Sequence, residues 1–223
     1  MVNYIREIIR PSEEVVANLR RHGSATVHEA LGRIGAMRHE IKPIAKGMKV
    51  CGSAFTVHCP AGDNITLLKA VKEARKGDVL VIDFGRILEA GPFGEVLAVE
   101  CHTKGLAGLI TTGSVRDTAE VTAMGFPVFS AAVSIVGTVK ESLGTINHPI
   151  VAGDVIVNPG DVVLGDDDGV VVIPRERAEE AVEKSDARQA KEAAVMERLK
   201  AGESLFDIYG YQKVFDRQGW KEE

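Results

Sequence analysis

Short runs of β-branched residues recur along the chain, and several follow the pair Gly-Asp. They are the runs 79–82, 155–157 and 162–164, which come after Gly77-Asp78, Gly153-Asp154 and Gly160-Asp161. Glycine and aspartate favour turns, and β-branched residues favour strands, so each run is predicted to be a buried strand that leaves a turn. Further strands are predicted at 48–59 and 109–111, and strands and turns are expected throughout 126–174.

Helical patterns alternate with these strands in the first half of the chain. One helix is predicted to begin after Ser12, which precedes an acidic first turn. A second is predicted to begin at Thr26, which has capping-box spacing to Glu29. Other helices are expected at 65–75, 94–104 and 117–124. The alternation predicts an α/β domain with layered sheets.

One long helix is predicted from Arg175 to about Lys200. Its apolar face is thin, because nearly every residue between Glu183 and Glu192 is polar or alanine. Such a helix buries little surface against its own domain, and we expect it to reach a neighbouring subunit. The chain is therefore divided into an α/β catalytic domain, residues 1–174, and a C-terminal helical tail, residues 175–223.

An uncharged stretch of 19 residues, 121–139, is long enough to cross a membrane. Glycine, proline and serine residues interrupt it, and two short buried strands are the better interpretation. The N-terminus carries charges at Arg6, Glu7 and Arg10 and has no apolar core, so it does not resemble a signal peptide.

The charge balance argues against two classes of partner. The chain has 32 acidic and 27 basic residues, a formal net charge of -5. Nucleic-acid binding requires a basic face, and contact with anionic lipid requires a polybasic segment, so neither partner is expected. Cys51, Cys59 and Cys101 are odd in number and form no CxxC motif. They are predicted to be buried free thiols in a cytoplasmic protein.

Candidate chemistry concentrates where loops meet helices. The segments are 60–64 (PAGDN), 92–98 (PFGEVLA) and 113–117 (GSVRD). A glycine-rich loop at a helix start can bind an anion, and an Arg-Asp pair after a strand can hold a carboxylate beside a metal. Each also has a structural explanation. Asp117 has capping-box spacing to Glu120, and Glu95 favours the positive end of its helix. Arg116 can be a surface cation, and Asp63 or Asn64 can be an N-cap. The triplet 166–168 resembles a cation site, but a solvated turn is the preferred interpretation.

Taken together, these segments resemble the class II pyruvate aldolases that cleave 4-hydroxy-4-methyl-2-oxoglutarate and 4-carboxy-4-hydroxy-2-oxoadipate. That family shares its fold with the regulator of ribonuclease E activity A, and relatives have been mislabelled as demethylmenaquinone methyltransferases. The resemblance covers roughly residues 12–210, and its strongest motif is Glu95 followed, after twenty residues, by Arg116-Asp117. The matching segments are 25–30, 52–57, 60–64, 77–81, 93–98, 113–118, 137–147 and 157–173.

The resemblance implies a layered β/β/α swivelling-type fold and a homotrimer or homohexamer. It also implies a role for each residue of the site. Asp117 ligates Mg²⁺ or Mn²⁺, Glu95 holds a water bound to the metal, and Arg116 reaches the oxygen that becomes the enolate. Backbone groups of the loop at Gly94, Val96 and Leu97 hold the carboxylate of the 2-oxo acid substrate. Two more positions match the family pattern: Asn64 in the pocket, and Glu192, which would act through a water from a neighbouring subunit.

The implied reaction is a metal-dependent retro-aldol cleavage to pyruvate, with decarboxylation of oxaloacetate as a side activity. The regulators typically lack the aspartate and the long C-terminal helix, and this chain has both. The segments 83–92 and 28–37 depart from the aldolase pattern, which leaves the preferred substrate open. A solvated position for Glu192 and a non-catalytic regulator of a ribonuclease remain alternatives.

Overall fold

The computed structural model of the protein describes residues 2–85 and 87–221. Residues 1, 86 and 222–223, which include the outer ends of both predicted domains, lie outside this description. The helices are α1 Glu13–Leu19, α2 Ser24–Ala30, α3 Ile65–Glu73, α4 Glu95–Thr103, α5 Thr118–Met124, α6 Ala178–Lys200, α7 Leu205–Ile208 and α8 Gln212–Gln218. The strands are β1 Lys42–Pro43, β2 Val50–His58, β3 Asp78–Asp83, β4 Gly108–Val115, β5 Val128–Val133, β6 Thr145–Ile146, β7 Ile150–Ala152, β8 Val155–Val157, β9 Val162–Asp166 and β10 Gly169–Ile173.

A mixed sheet forms the centre of the fold, in the order β1-β5-β4-β3-β2-β9-β10. Strands β2 to β5 are parallel, as expected when helices cross over between them, and β9 and β10 continue the sheet in antiparallel fashion. The sheet curls, so that β1 at one edge contacts β9 and β10 at the other. Lys42 closes this gap by donating from Nζ to the carbonyl of Asp168, at 2.5 Å.

Three layers follow from the burial of the sheet's two faces. On the outer face, α3, α4 and α5 pack over Phe55, Leu80 and Leu109. On the inner face, the β7–β8 hairpin covers Ala54 and Val81. The hairpin, the sheet and the helices give the predicted β/β/α arrangement, so the predicted α/β class is confirmed.

The start of α2 was predicted wrongly. Thr26 lies inside the helix, which begins at Ser24 after Gly23. The missing cap comes from Asp166, whose carboxylate accepts from the Ser24 backbone N–H at 2.7 Å and from Ser24 Oγ at 2.6 Å. The acidic triplet is a turn between β9 and β10, as predicted, and it also holds the start of α2.

The uncharged stretch 121–139 contains one strand and not the two predicted. It runs through the end of α5 and through β5, and then becomes a loop whose apolar side chains are exposed. Ile135 is 89% exposed, and Val136 and Val139 are more than half exposed. Within the described residues, no helix is both long and apolar enough to span a bilayer.

The long C-terminal helix is present, although residues 175–177 form a 3-10 turn before it. Its first turns pack on α1 and α2, where Ala178, Ala181 and Ser185 are buried. The rest of the helix contributes no buried residue. The start of α6 therefore belongs to the domain core, and the division of the chain at residue 174 stays a prediction.

All three cysteines are buried and free, as predicted. Burial raises the pKa of the Cys51 thiol to about 11 and the pKa values of Cys59 and Cys101 to about 12. They are small apolar residues of the core.

Candidate active site

Two chain segments meet at the end of strand β4. Phe93 pairs with Val115 in a parallel bridge, and the Arg116 N–H donates to the Phe93 carbonyl at 2.9 Å. This pairing places the start of α4 directly beside the residues that follow β4. Gly94 and Glu95 on one segment thereby meet Arg116 and Asp117 on the other, as the sequence motif predicted.

Close packing at this junction requires a glycine at position 94. Its backbone is extended, with φ −155°, which any residue adopts. However, a Cβ at this position would lie 2.3 Å from Asp117 Oδ2 and 2.9 Å from Arg116 Cγ. The absence of a side chain therefore gives Asp117 and Arg116 their room.

Asp117 does not cap its own helix. It precedes α5 in the left-handed conformation, with φ 54°, and its side chain makes no capping hydrogen bond there. Aspartate is one of the few non-glycine residues that tolerate this conformation. Instead, Oδ2 accepts from the Glu95 backbone N–H at 3.0 Å and lies 3.6 Å from Arg116 Nε. The capping explanation that the sequence left open for Asp117 is thus wrong.

The junction contains one positively charged side chain, that of Arg116, and backbone N–H groups at the start of α4 that can bind an anion. The side chains of Arg116 and Asp117 are 42% and 41% exposed, so both face a solvent-accessible space. The first N–H groups of α4 are orphaned by helix geometry, and the Glu95 N–H is taken by Asp117. The N–H groups of Val96 and Leu97 remain for an anion. Leu97 is buried and Val96 is 82% exposed, so a ligand there would meet backbone beside one apolar side chain.

Asn64 approaches this site from the start of α3. Its Nδ2 donates to the Pro92 carbonyl at 2.8 Å, just before the glycine loop. Its Oδ1 is buried and, within the described residues, accepts no hydrogen bond. The residue itself is only 7% exposed. Because an unpaired buried acceptor is costly, this oxygen is available to a ligand donor.

Glu192 is not brought to the junction within one chain. It lies on the exposed part of α6, where it pairs with Arg188 at 2.8 Å. Arg188 also approaches Glu29 of α2, at 3.7 Å. Among the described residues, neither partner belongs to α4 or to the Arg116-Asp117 segment.

Comparison with known proteins places the chain in a family. The family model described as Aldolase/RraA matches residues 24–172, which is more than half of the chain. The chain belongs to the Aldolase/RraA family. A protein of Halalkalibacterium halodurans named "Putative 4-hydroxy-4-methyl-2-oxoglutarate aldolase" is 34% identical over 181 residues, covering 81% of this chain and 86% of the relative.

Solved structures agree on the fold. RraAS2 of Streptomyces coelicolor, described as an unusual member of the RNase ES inhibitor RraA protein family, matches with a TM-score of 0.75 and 31% identity. It covers 85% of this chain and 100% of its own. The RNA-processing inhibitor RraA from Thermus thermophilis matches with a TM-score of 0.63 and 28% identity, over 69% of this chain and 93% of its own. The Aldolase/RraA family thus includes relatives named for catalysis and relatives named for inhibition.

A divalent metal fits this junction only in part. Asp117 and Glu95 supply carboxylate oxygens, the ligands that Mg²⁺ and Mn²⁺ prefer. Asp117 Oδ1 accepts no hydrogen bond from the described part of the chain, so a lone-pair donor is available. Across residues 2–85 and 87–221, however, no three His, Cys, Asp or Glu side chains are grouped closely enough to hold a metal. Further ligands would have to come from water, substrate or a second subunit.

The sequence interpretation missed the loop 134–142, which we name the wall loop. A Cβ built on its Gly137 would lie 3.7 Å from Arg116 Nη1, so the loop borders the guanidinium. The segment 137–147 matched the family pattern, but nothing in its spacing marked it as part of the site.

A separate cavity of about 410 Å³ lies between the ends of β3 and β4 and the β7–β8 hairpin. It is lined by Arg38, Asp83 and Thr112, among others. Its charged groups are already paired, since Arg38 binds Glu40 and Asp154, and Asp83 lies 3.1 Å from His58. We therefore place the candidate site at the Arg116-Asp117 junction, where the family motif and the unpaired acceptors coincide.

Proposed function

We propose that the protein is a divalent-metal-dependent lyase that cleaves a 4-hydroxy-2-oxo dicarboxylic acid, such as 4-hydroxy-4-methyl-2-oxoglutarate, and releases pyruvate. The observation that carries this proposal is the left-handed Asp117, whose carboxylate leaves its own helix and turns toward Glu95 and Arg116. A residue needed only as a cap would bond the N–H groups of α5. The aldolase-named relative at 34% identity supports the same reaction class.

In this proposal each group of the site has a task in binding the metal or the substrate. Asp117, with Glu95 acting through water, would hold Mg²⁺ or Mn²⁺, which supplies Lewis-acid stabilisation of negative charge when it is bound. The N–H groups of Val96 and Leu97, beside Gly94, bind the carboxylate of the 2-oxo acid. Arg116 donates to the 2-oxo oxygen, where negative charge develops in the transition state. Asn64 Oδ1 accepts a hydrogen bond from a substrate hydroxyl.

The bond changes require a base and a stabilised enolate. The Glu95 carboxylate, through a water, accepts the proton of the C4 hydroxyl. The C3–C4 bond then breaks, C4 becomes a carbonyl, and its electron pair forms the enolate of pyruvate, which takes a proton at C3. Decarboxylation of oxaloacetate breaks the corresponding bond, releases CO₂ and passes through the same enolate. We therefore expect it as a side activity.

Metal removal tests this proposal directly. We expect purified protein treated with EDTA to release no pyruvate from 4-hydroxy-2-oxo acids or oxaloacetate, and added Mg²⁺ or Mn²⁺ to restore release. A coupled pyruvate assay over a panel of these acids measures it and also identifies the preferred substrate. Full activity in EDTA would contradict the metal role.

The proposal includes a homo-oligomer, a trimer or a hexamer, in which Glu192 completes a neighbouring site through water. Exposed apolar side chains support it: Ile135 in the wall loop, Leu143 directly after that loop, and Trp220 beyond the far end of α6. The helix itself is about 35 Å long, since its 23 residues rise 1.5 Å each. A helix of this length carries α7 and α8, which follow its far end, away from α1 and α2, on which its first turns pack.

Subunit mixing tests the role of Glu192. Asp117→Asn and Glu192→Gln proteins should each be impaired as pure oligomers. After unfolding and co-refolding, mixed oligomers contain sites with both wild-type residues if Glu192 acts in trans, and activity should return. A mixture no more active than its components would contradict a role for Glu192 in trans. Light scattering on the wild-type protein gives the number of subunits.

A second candidate function, a non-catalytic regulator of a ribonuclease, is favoured by the 31% identity to RraAS2 over its whole chain. Under this function the protein would process no 2-oxo acid and would bind a ribonuclease E-type enzyme tightly. Asp117 would then have no chemical task. The pyruvate panel and a binding measurement with such an enzyme distinguish the two functions.

A further inference from the structure

Asp63 is a buried carboxylate that the proposed reaction does not use. The residue is only 1% exposed, at the turn before α3. Oδ1 accepts from the N–H of Ile65, the first residue of α3, at 2.8 Å. Oδ2 accepts from the N–H groups of Glu141 and Ser142, both at 2.6 Å. One oxygen of the carboxylate therefore binds the last two residues of the wall loop, and not α3.

The wall loop is also held at its other end and in its middle. The Ser134 N–H donates to the Val115 carbonyl at 3.0 Å, and the Gly91 N–H donates to the Val136 carbonyl at 2.8 Å. The Val139 N–H donates to the Gly62 carbonyl at 2.9 Å, next to Asp63. Between these anchors lies Gly137, where an added Cβ would be 3.7 Å from Arg116 Nη1. The loop therefore spans the space in front of the guanidinium.

Burial of apolar side chains does not explain why the loop stays there. Ile135, Val136 and Val139 are exposed by 89%, 54% and 59% and bury little apolar surface within the chain. With so little burial, the loop's position depends on its hydrogen bonds. The two bonds to Asp63 Oδ2 are short and charge-assisted, the stronger class of such bonds.

We propose that Asp63 is a positioning residue, whose carboxylate fixes the wall loop at the distance from Arg116 that the substrate requires. The proposal rests on the proposed function, because it assigns Arg116 to the 2-oxo oxygen of a substrate. Asp63 acts through the loop and touches no reacting atom. Its loss therefore lowers the rate by misplacing the wall and leaves the catalytic groups in place.

The test compares Asp63→Asn with a matched control, Asp161→Asn. Asp161 is 2% exposed and accepts from the N–H groups of Asn158 and Arg175, at 2.8 and 3.1 Å, before β9. Both substitutions replace a buried acceptor of backbone donors by an amide, and both are expected to lower the unfolding midpoint. Only Asp63→Asn is expected to lower kcat/KM, by about 10²-fold, the cost of a misplacement near 1 Å.

Most of that loss should appear in kcat, because charge at the oxygen facing Arg116 develops only in the transition state. Hydrogen exchange measured without substrate gives an independent result. The backbone amides of residues 139–142 should exchange at least about tenfold faster in Asp63→Asn than in the wild-type protein. In Asp161→Asn their exchange rates should equal those of the wild type. If exchange rises while kcat/KM stays within threefold of wild type, Asp63 is only structural. If the exchange rates of these amides do not change, Asp63 does not hold the wall loop and the proposal is overturned.

A second variant covers the case in which Asp63→Asn does not fold. Gly137 is exposed and has no left-handed φ, so Gly137→Val should fold with an unchanged midpoint. Its side chain enters the space before Arg116 Nη1, and we expect kcat/KM to fall about tenfold. Wild-type kcat/KM in this variant would overturn the proposal. If the wild-type protein itself cleaves no 2-oxo acid, the proposed function fails, and the exchange result still decides whether Asp63 holds the loop.

Discussion

Two helices of this protein begin in the same way, yet only one of them lies at the candidate site. At α2, Gly23 precedes Ser24, whose N–H donates to Asp166 at 2.7 Å. At α4, Gly94 precedes Glu95, whose N–H donates to Asp117 at 3.0 Å. In both cases the aspartate comes from a distant part of the chain.

The two aspartates differ in what their remaining oxygen does. Asp166 Oδ1 accepts from Ser24 Oγ at 2.6 Å and from the Asp168 N–H at 3.1 Å. Asp117 Oδ1 accepts nothing from the described residues, and its Oδ2 lies beside a cation. The comparison teaches that a high density of acidic residues does not mark a site. A solvent-accessible carboxylate oxygen that accepts no hydrogen bond from the described residues, beside a cation, is the more informative sign.

Replacing each aspartate by asparagine should give the largest difference between the two helix starts, in activity for Asp117 and in stability for Asp166. Asp117→Asn keeps the shape and tolerates the left-handed backbone, but it removes the charge that would hold the metal. We expect kcat to fall about 10²- to 10³-fold with the unfolding midpoint unchanged. Asp166→Asn should keep kcat and lose about 1–3 kcal/mol of unfolding free energy. The asparagine has only one acceptor oxygen, so its side-chain NH₂ would face a donor group of Ser24. Steady-state kinetics and urea unfolding measure the two effects, and wild-type rates in Asp117→Asn would make this residue purely structural.

Replacing the glycine before each helix, Gly94 or Gly23, by alanine tests the same comparison with a smaller expected effect. Gly94→Ala brings a methyl group to 2.3 Å from Asp117 Oδ2, and we expect kcat/KM to fall about tenfold or more as Asp117 and Arg116 shift. In Gly23→Ala the methyl group meets Asp166 Oδ2 at 3.6 Å, an ordinary contact. Its activity should be unchanged, and its stability should fall by up to about 1 kcal/mol, because alanine is a poorer N-cap than glycine. Equal kcat/KM values for the two variants would show that close packing at Gly94 does not matter.

The smallest expected effect concerns pH. Burial opposes ionisation of Asp63, but the hydrogen bonds from Ile65, Glu141 and Ser142 outweigh it and hold the pKa of its carboxyl below the ordinary 3.8. The stabilisation from this carboxylate is therefore complete above the ordinary pKa and is lost as pH falls through the lower folded-state value. The difference in urea midpoint between wild type and Asp63→Asn should stay constant from about pH 8 to pH 5 and shrink only in stronger acid. A difference that already shrinks near pH 5 would contradict the lowered pKa.

Much of the fold could be predicted from local signals. Ser12 caps α1, and the Gly-Asp turns precede β3, β8 and β9, because turn and cap chemistry acts within a few residues. The start of α2 could not be predicted, since its capping aspartate lies 142 residues away. The same limit applies to Asp117, whose spacing to Glu120 predicts a cap that the backbone conformation rules out.

The residues of the candidate site could be predicted from the sequence, but the loop that borders them could not. Glu95, Arg116 and Asp117 stand in a recognisable motif, and a bridge between Phe93 and Val115 brings them together. The wall loop has apolar residues that predict a buried strand, and its exposure depends on tertiary hydrogen bonds. Asp63 was treated as a possible N-cap, because no sequence pattern reveals that one carboxylate oxygen serves a loop nearly eighty residues later.

The three buried thiols make this protein a convenient reporter of its own opening. With pKa values of about 11 to 12, Cys51, Cys59 and Cys101 hold almost no thiolate at neutral pH. Alkylating reagents and mild oxidants should therefore leave the folded chain untouched. Cys59 and Cys101 lie in the core beneath α3 and α4, and Cys51 lies beneath α1 and α2. The rate at which each thiol becomes labelled then measures how often that layer separates from the sheet.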